Sequence, residues 1–174
     1  MSLFPNLSGA VFGDGNNPDS AYRYTLWRTP DPSNLRTMAV IGCNPSTATA
    51  TEDDPTIRRC IRFALDSGHG RLVMLNCFAF RATDVRVLKS VVDPVGPENV
   101  DHAIDACKDA TVVCAWGSTA KLPNGWRNWP ALFVAKLRPS IPGLRLHVLR
   151  HLANRDPEHP LYLPASCRPI PWTP

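Results

Sequence analysis

The sequence is short of several things, and each shortage narrows what it can be. Among 174 residues only 10 are glycine, and none builds a Gly-rich loop ahead of a Lys-Ser or Lys-Thr pair, so no Walker-type phosphate loop is encoded. No apolar run approaches the length of a membrane span, and the opening MSLFPNLSGA has neither a basic n-region nor a long apolar h-region. Neither export nor membrane contact is expected. The cysteines, Cys43, Cys60, Cys77, Cys107, Cys114 and Cys167, include no CxxC pair, which argues against a zinc ribbon or a disulfide framework. Thiols set within apolar runs suit a reducing, cytoplasmic setting instead. His147, His151, His159 and Cys167 match no standard zinc spacing, so no metal and no other cofactor is expected. Internal repeats and low-complexity tracts are also missing.

Charge of one sign is scarce too. Charged residues make up 20% of the chain, and the net charge is +4. Such a mild excess permits contact with anions but falls well short of the dense basic patches of dedicated nucleic-acid binders. The positive charge is mostly Arg, which suits planar recognition of phosphate or carboxylate.

What is present is a core and a great deal of proline. Hydrophobic residues reach 44%, enough for one domain over residues 1–174. Its core is expected over about 22–164. The 18 prolines cluster at 18–32, 94–97, 123–142 and 157–174, marking loops and an irregular Pro-rich tail over 165–174. TMAVIG (37–42), RLVMLN (71–76), TVVCAW (111–116) and LRLHVLR (144–150) read as strands, the first three covered on both faces. YRYTLWR (22–28) alternates and reads as an extra N-terminal edge strand.

Helices fit between these runs. Asp54 can cap and Pro55 can take the first position of a helix in which Ile57, Cys60, Ile61, Ala64 and Leu65 form the buried stripe. Arg58, Arg59 and Arg62 fall on the opposite face. Val100, Ala103, Ile104 and Cys107 mark a second helix over 98–108, and Leu132, Phe133 and Leu137 a third over about 129–137. Alternating strands and helices predict an α/β protein built on a parallel sheet, and such sheets bind ligands at the carboxyl ends of their strands.

Four loops meet at that edge. The first carries Gly42, Cys43, Asn44, Pro45, Ser46 and Thr47, followed by Asp53. The second carries Asn76, Phe78 and Arg81, the third Trp116 and Gly117. The fourth runs from His151 to His159 and Tyr162. Asn, His and aromatic side chains converging on one crevice are more than packing requires. Arg58, Arg59 and Arg62 are candidates for contacting phosphate or nucleic acid.

Five ordered motifs, Asn44 to Ala48, Asp54 to Thr56, Asn76 to Thr83, Ala115 to Gly117 and His159 to Tyr162, carry a resemblance to the bacterial family known as domain of unknown function 1643. The motif order also resembles that of the uracil-DNA glycosylase superfamily. That resemblance implies a three-layer α/β/α sandwich around a four-stranded parallel sheet. It also implies roles: Asn44 positioning water, Asn76 bonding the base edge, and His159 facing the leaving base. Asp53 could assist with the water. Phe78 and Trp116 are candidates for stacking, from their places in the loops. Ser46 stands where the superfamily has Gly or Tyr, and Leu161 where it has Ser.

Ala153-Asn154-Arg155-Asp156 provides no apolar wedge for opening a duplex. The expected partner is therefore a nucleobase, a nucleotide or single-stranded nucleic acid. Three functions stay open: hydrolysis of an N-glycosidic bond, nucleotide or nucleic-acid binding without turnover, and an enzyme acting on another small anionic substrate.

Overall fold

The computed structural model describes residues 7–14 and 17–174. Residues 1–6, part of the segment in which no leader is expected, lie outside these. Ten regular elements follow in order: β1 (Ser8–Phe12), β2 (Arg23–Arg28), β3 (Thr37–Gly42), α1 (Pro55–Asp66), β4 (Arg71–Asn76), α2 (Asn99–Cys107), β5 (Ala110–Cys114), α3 (Trp129–Leu137), β6 (Leu146–Val148) and β7 (Ile170–Trp172). The strands form one sheet in the order β1-β2-β4-β3-β5-β6-β7. Pairings β4/β3, β3/β5 and β5/β6 are parallel, whereas β1/β2, β2/β4 and β6/β7 are antiparallel.

The expected four-stranded parallel sheet is thus corrected to a seven-stranded mixed one. The run 22–28 is no edge strand either, because β1 pairs outside it along Ser8–Phe12. The tail is not wholly irregular: β7 closes the far edge against β6. Proline is tolerated at 171 because an edge strand needs ladder bonds on one side only. Trp172 anchors that edge, 9% exposed, with its indole N–H donated to the Arg155 carbonyl at 3.2 Å.

Alternate residues of the central strands feed two cores. Met38, Val40, Leu72 and Met74 pack with Ile57, Cys60, Phe63 and Ala64 of α1. Ala39, Ile41, Val73 and Leu75 pack with Ala103 and Cys107 of α2 and Phe133, Val134 and Leu137 of α3. Helix α1 follows its expected cap: the Asp54 carboxylate accepts from Ile57 N–H at 2.8 Å, with Pro55 first in the helix. Its stripe differs in one detail, since Phe63 is buried and Leu65 is 38% exposed. In α3 the expected Leu132 likewise faces outward, and Val134 is buried in its stead. Among the described residues no helix is long and apolar enough to cross a membrane.

The topology explains where a site can form. From β3 the chain crosses to β4 on one side, then passes over to β5 on the other. Loops leaving β3 and β5 therefore diverge, which opens a crevice at the sheet's carboxyl edge.

Candidate functional site

A cavity of about 770 Å³ occupies that crevice, within the range of small-molecule sites. All four strand-end loops contribute. The first gives Gly42, Cys43, Asn44 and Ser46, the second Asn76 and residues 82–86, the third Trp116 to Ser118, and the fourth Glu158 to Tyr162. A second cavity, of about 410 Å³, lies beside Thr37, Arg71 and Ala110 at the opposite ends of β3, β4 and β5, where none of these loops reaches.

Asn76 ends β4 directly opposite Gly42 of β3. It is 5% exposed and lines the cavity. Its backbone carbonyl accepts from Asn99 Nδ2 at 2.9 Å, yet among the described residues its side-chain amide has no hydrogen-bond partner. Its amide atoms are not sealed, so water or a ligand in the cavity can satisfy them. Facing a cavity, it presents a donor and an acceptor side by side.

His159 enters from the fourth loop. Its Nδ1 accepts from Leu161 N–H at 3.3 Å, so the neutral ring carries its proton on Nε2 and donates there. Burial, and then the neighbouring Lys121 charge, lower its pKa against the opposing pull of Asp54, which keeps the ring neutral. The loop is well tied: Arg150 grips Glu158 through two bonds of 2.7 and 2.8 Å, and Gly117 N–H donates to the Pro157 carbonyl at 2.9 Å. Gly117 holds φ at +82°, a turn that favours glycine.

Asn44 donates through Nδ2 to the carbonyls of Ala82 at 2.7 Å and Pro45 at 3.2 Å, and Ala82 N–H returns a bond to the Pro45 carbonyl. The first and second loops are thereby locked together, leaving the Asn44 Oδ1 as an acceptor. Cys43 is no nucleophile, because burial pushes its thiol up to about 12.

Several expected residues stand elsewhere. Asp53 turns to Arg28, at 2.7 Å, while Asp54 lines the cavity. Phe78 is fully buried, edge-on to Trp126, so it belongs to the core and not to a stacking surface. Arg81 donates to the carbonyls of Pro18 and Ser20 and lies over the Phe12 ring. His151 is exposed, with Nδ1 3.0 Å from the Leu152 carbonyl, and neither it nor Thr47 lines the cavity. Pro45 contributes its carbonyl to the loop lock described above. Arg58 donates to the Asp53 carbonyl, Arg59 to that of Leu163, and Arg62 pairs with Asp66 at 3.0 Å. None of the three lines the cavity, so they build no phosphate clamp there. Trp116, 7% exposed, forms part of the wall and packs edge-on against Trp172, while Tyr162, 67% exposed, stands at the mouth.

Arg23, Asp54, Thr56, Arg86 and Lys121 also line the cavity. Arg23 is the least expected of them. A basic residue within an alternating strand reads as solvent-facing, and only its aromatic neighbours Tyr22 and Tyr24 hint otherwise. Among the described residues no group of three or more His, Cys, Asp or Glu side chains is placed to hold a metal.

A family model described as "Protein of unknown function (DUF1643)" matches residues 23–161, the stretch that carries all four loops. No curated protein matches the chain, and no solved structure does.

Proposed function

The chain belongs to that family of unknown function, and since the description carries no activity, we propose from the site that the protein binds a nucleobase in this cavity and hydrolyses its N-glycosidic bond. One observation carries the reading. The Asn76 carboxamide, without a hydrogen-bond partner among the described residues, lines the same cavity as His159, whose neutral ring carries its proton on Nε2. A carboxamide matches the paired donor and acceptor of a base edge. The resemblance of the motif order to that of the uracil-DNA glycosylase superfamily supports the same assignment, as does a crevice at the carboxyl ends of the parallel strands β4, β3, β5 and β6.

The chemistry runs as follows. The C1′–N bond breaks heterolytically, its electron pair leaves with the base, and the sugar becomes oxocarbenium-like. His159 Nε2–H donates to the base as negative charge develops, which lowers the barrier electrostatically. Asp54 offers the carboxylate for the opposite side, where it steadies the cation and takes the proton of the attacking water. Asn44 Oδ1 holds that water.

Binding without turnover is the second reading. It is favoured by one observation: the Asp54 carboxylate already serves as the cap of α1. Incubation with nucleosides, nucleotides and short single strands, followed by chromatography of released base, separates the two. Release that falls about 100-fold or more in His159→Ala supports hydrolysis. Thermal stabilisation by these ligands without release leaves binding alone. No stabilisation by any base-containing ligand rejects both.

A further inference from the structure

The cavity contains a cationic corner that base recognition leaves unused. Arg23 opens β2, is 3% exposed and lines the cavity. It commits one nitrogen, Nη1, to the Ala48 carbonyl at 2.6 Å. Among the described residues nothing accepts from its Nε or Nη2, and neither is sealed from the cavity. A buried guanidinium with an open donor edge is a fork awaiting a planar or tetrahedral anion. Thr56, in the first turn of the 12-residue helix α1, lines the same cavity; Pro55 has no N–H and Asp54 takes the Ile57 N–H, so the donors left in that turn are those of Thr56.

The charge balance points the same way. Of the acids lining the cavity, Asp84 is held by Arg86 at 2.8 Å and Glu158 by Arg150 at 2.7 Å. Only Asp54 remains to set against Arg23 and Lys121, neither of which is in an ion pair with a described residue. Burial lowers the Arg23 pKa to about 10, with Asp54 opposing the fall, so the guanidinium keeps its charge at neutral pH.

We infer that Arg23, with Thr56 beside it, binds a terminal phosphate, so that the ligand is a nucleoside monophosphate. This rests on the nucleobase reading and specifies its substrate. A phosphodiester within a strand must continue to further nucleotides on both sides, which an arginine this deeply buried does not allow. A phosphomonoester ends where it binds and carries up to two negative charges. A cavity of about 770 Å³ holds a mononucleotide with its base toward Asn76.

The test is calorimetric titration of the full chain with the four common ribonucleosides, their 5′-monophosphates and inorganic phosphate. At least one monophosphate is expected to bind about tenfold or more tighter than its nucleoside, as a charge-assisted fork requires. Inorganic phosphate should compete with the monophosphate and not with the nucleoside. Arg23→Gln should bring the monophosphate down to the nucleoside's affinity; if that variant does not fold, the competition on the wild type decides. Equal affinities of nucleoside and monophosphate overturn the phosphate corner and leave the nucleobase reading standing. Binding of inorganic phosphate with no binding of any nucleoside or nucleotide overturns the nucleobase reading, and the nucleotide with it.

Discussion

The Asn76 side chain lies over Gly42: a Cβ added at residue 42 would stand 2.9 Å from Asn76 Oδ1. Two adjacent strand ends thus cooperate, one omitting a side chain so that the other's amide can reach the cavity. Gly42→Ala forces that amide aside, and the displaced group is the free end of a side chain, so the fold tolerates the change. The melting temperature is expected to move little while base binding weakens about tenfold or more, through loss of aligned hydrogen bonds. Titration of Gly42→Ala beside Asn76→Ala checks this; undiminished binding in Gly42→Ala removes Asn76 from the site.

Two histidines make the fold sensitive to acid. His69, 3% exposed, has its pKa lowered by burial and then by Arg36, and His159 by burial and then by Lys121. A lowered folded pKa means that the unfolded chain binds more protons as the pH drops. Stability from these groups is therefore complete above about pH 6.5 and is lost as the pH falls through the folded values. Melting temperatures should decline from pH 7.5 to pH 5, less steeply in His159→Gln. An unchanged slope in that variant would show that the ring is not held neutral.

Neighbouring acids have opposite duties. Asp53 neutralises Arg28, whose side chain is 8% exposed, and Asp53→Asn should cost about 1–3 kcal/mol of stability with base release intact. Asp54→Asn keeps an effective cap, because asparagine caps as well as aspartate, but removes the carboxylate that faces the cavity. It should lower base release by about 100-fold or more with little change in melting. Denaturant titration and release assays on both variants test the division; the reverse pattern would return the catalytic role to Asp53.

Thiol reactivity offers a check on burial. Cys60, Cys77, Cys107 and Cys114 are buried, and Cys43, though it lines the cavity, has its thiol pushed up to about 12. Little of Cys43 is thus thiolate at pH 8. The native protein should therefore release roughly one fast equivalent from an aromatic disulfide reagent, from Cys167, with the remaining five reacting on denaturation. Rapid labelling of Cys43 would contradict the closed geometry of that wall.

The central strands were legible because β3, β4 and β5 are covered on both faces and read as unbroken apolar runs. Strand β7 was not, since three residues around a proline carry too little pattern and depend on Trp172 finding a pocket. The same limit applies to the site. Motif order located the loops, so Asn44, Asn76 and His159 reach one cavity. It could not give the direction of a side chain within a loop, which is why Phe78 lies in the core and Asp54, not Asp53, lines the cavity. Arg23 depended on long-range contact with Ala48, which no local period encodes.

Arg28 has one more consequence. Its guanidinium donates to the carbonyls of Trp27, Thr49, Ala50 and Glu52 and to the Asp53 carboxylate, so the stretch 49–53 leading into α1 is tied to the sheet. The ordering entropy of that segment falls on folding, so a ligand bound beside it would have little of it left to order. For the ligand proposed above, a floor held in this way predicts association without a slow rearrangement step, so that ligands would differ mainly in the lifetime of their complexes.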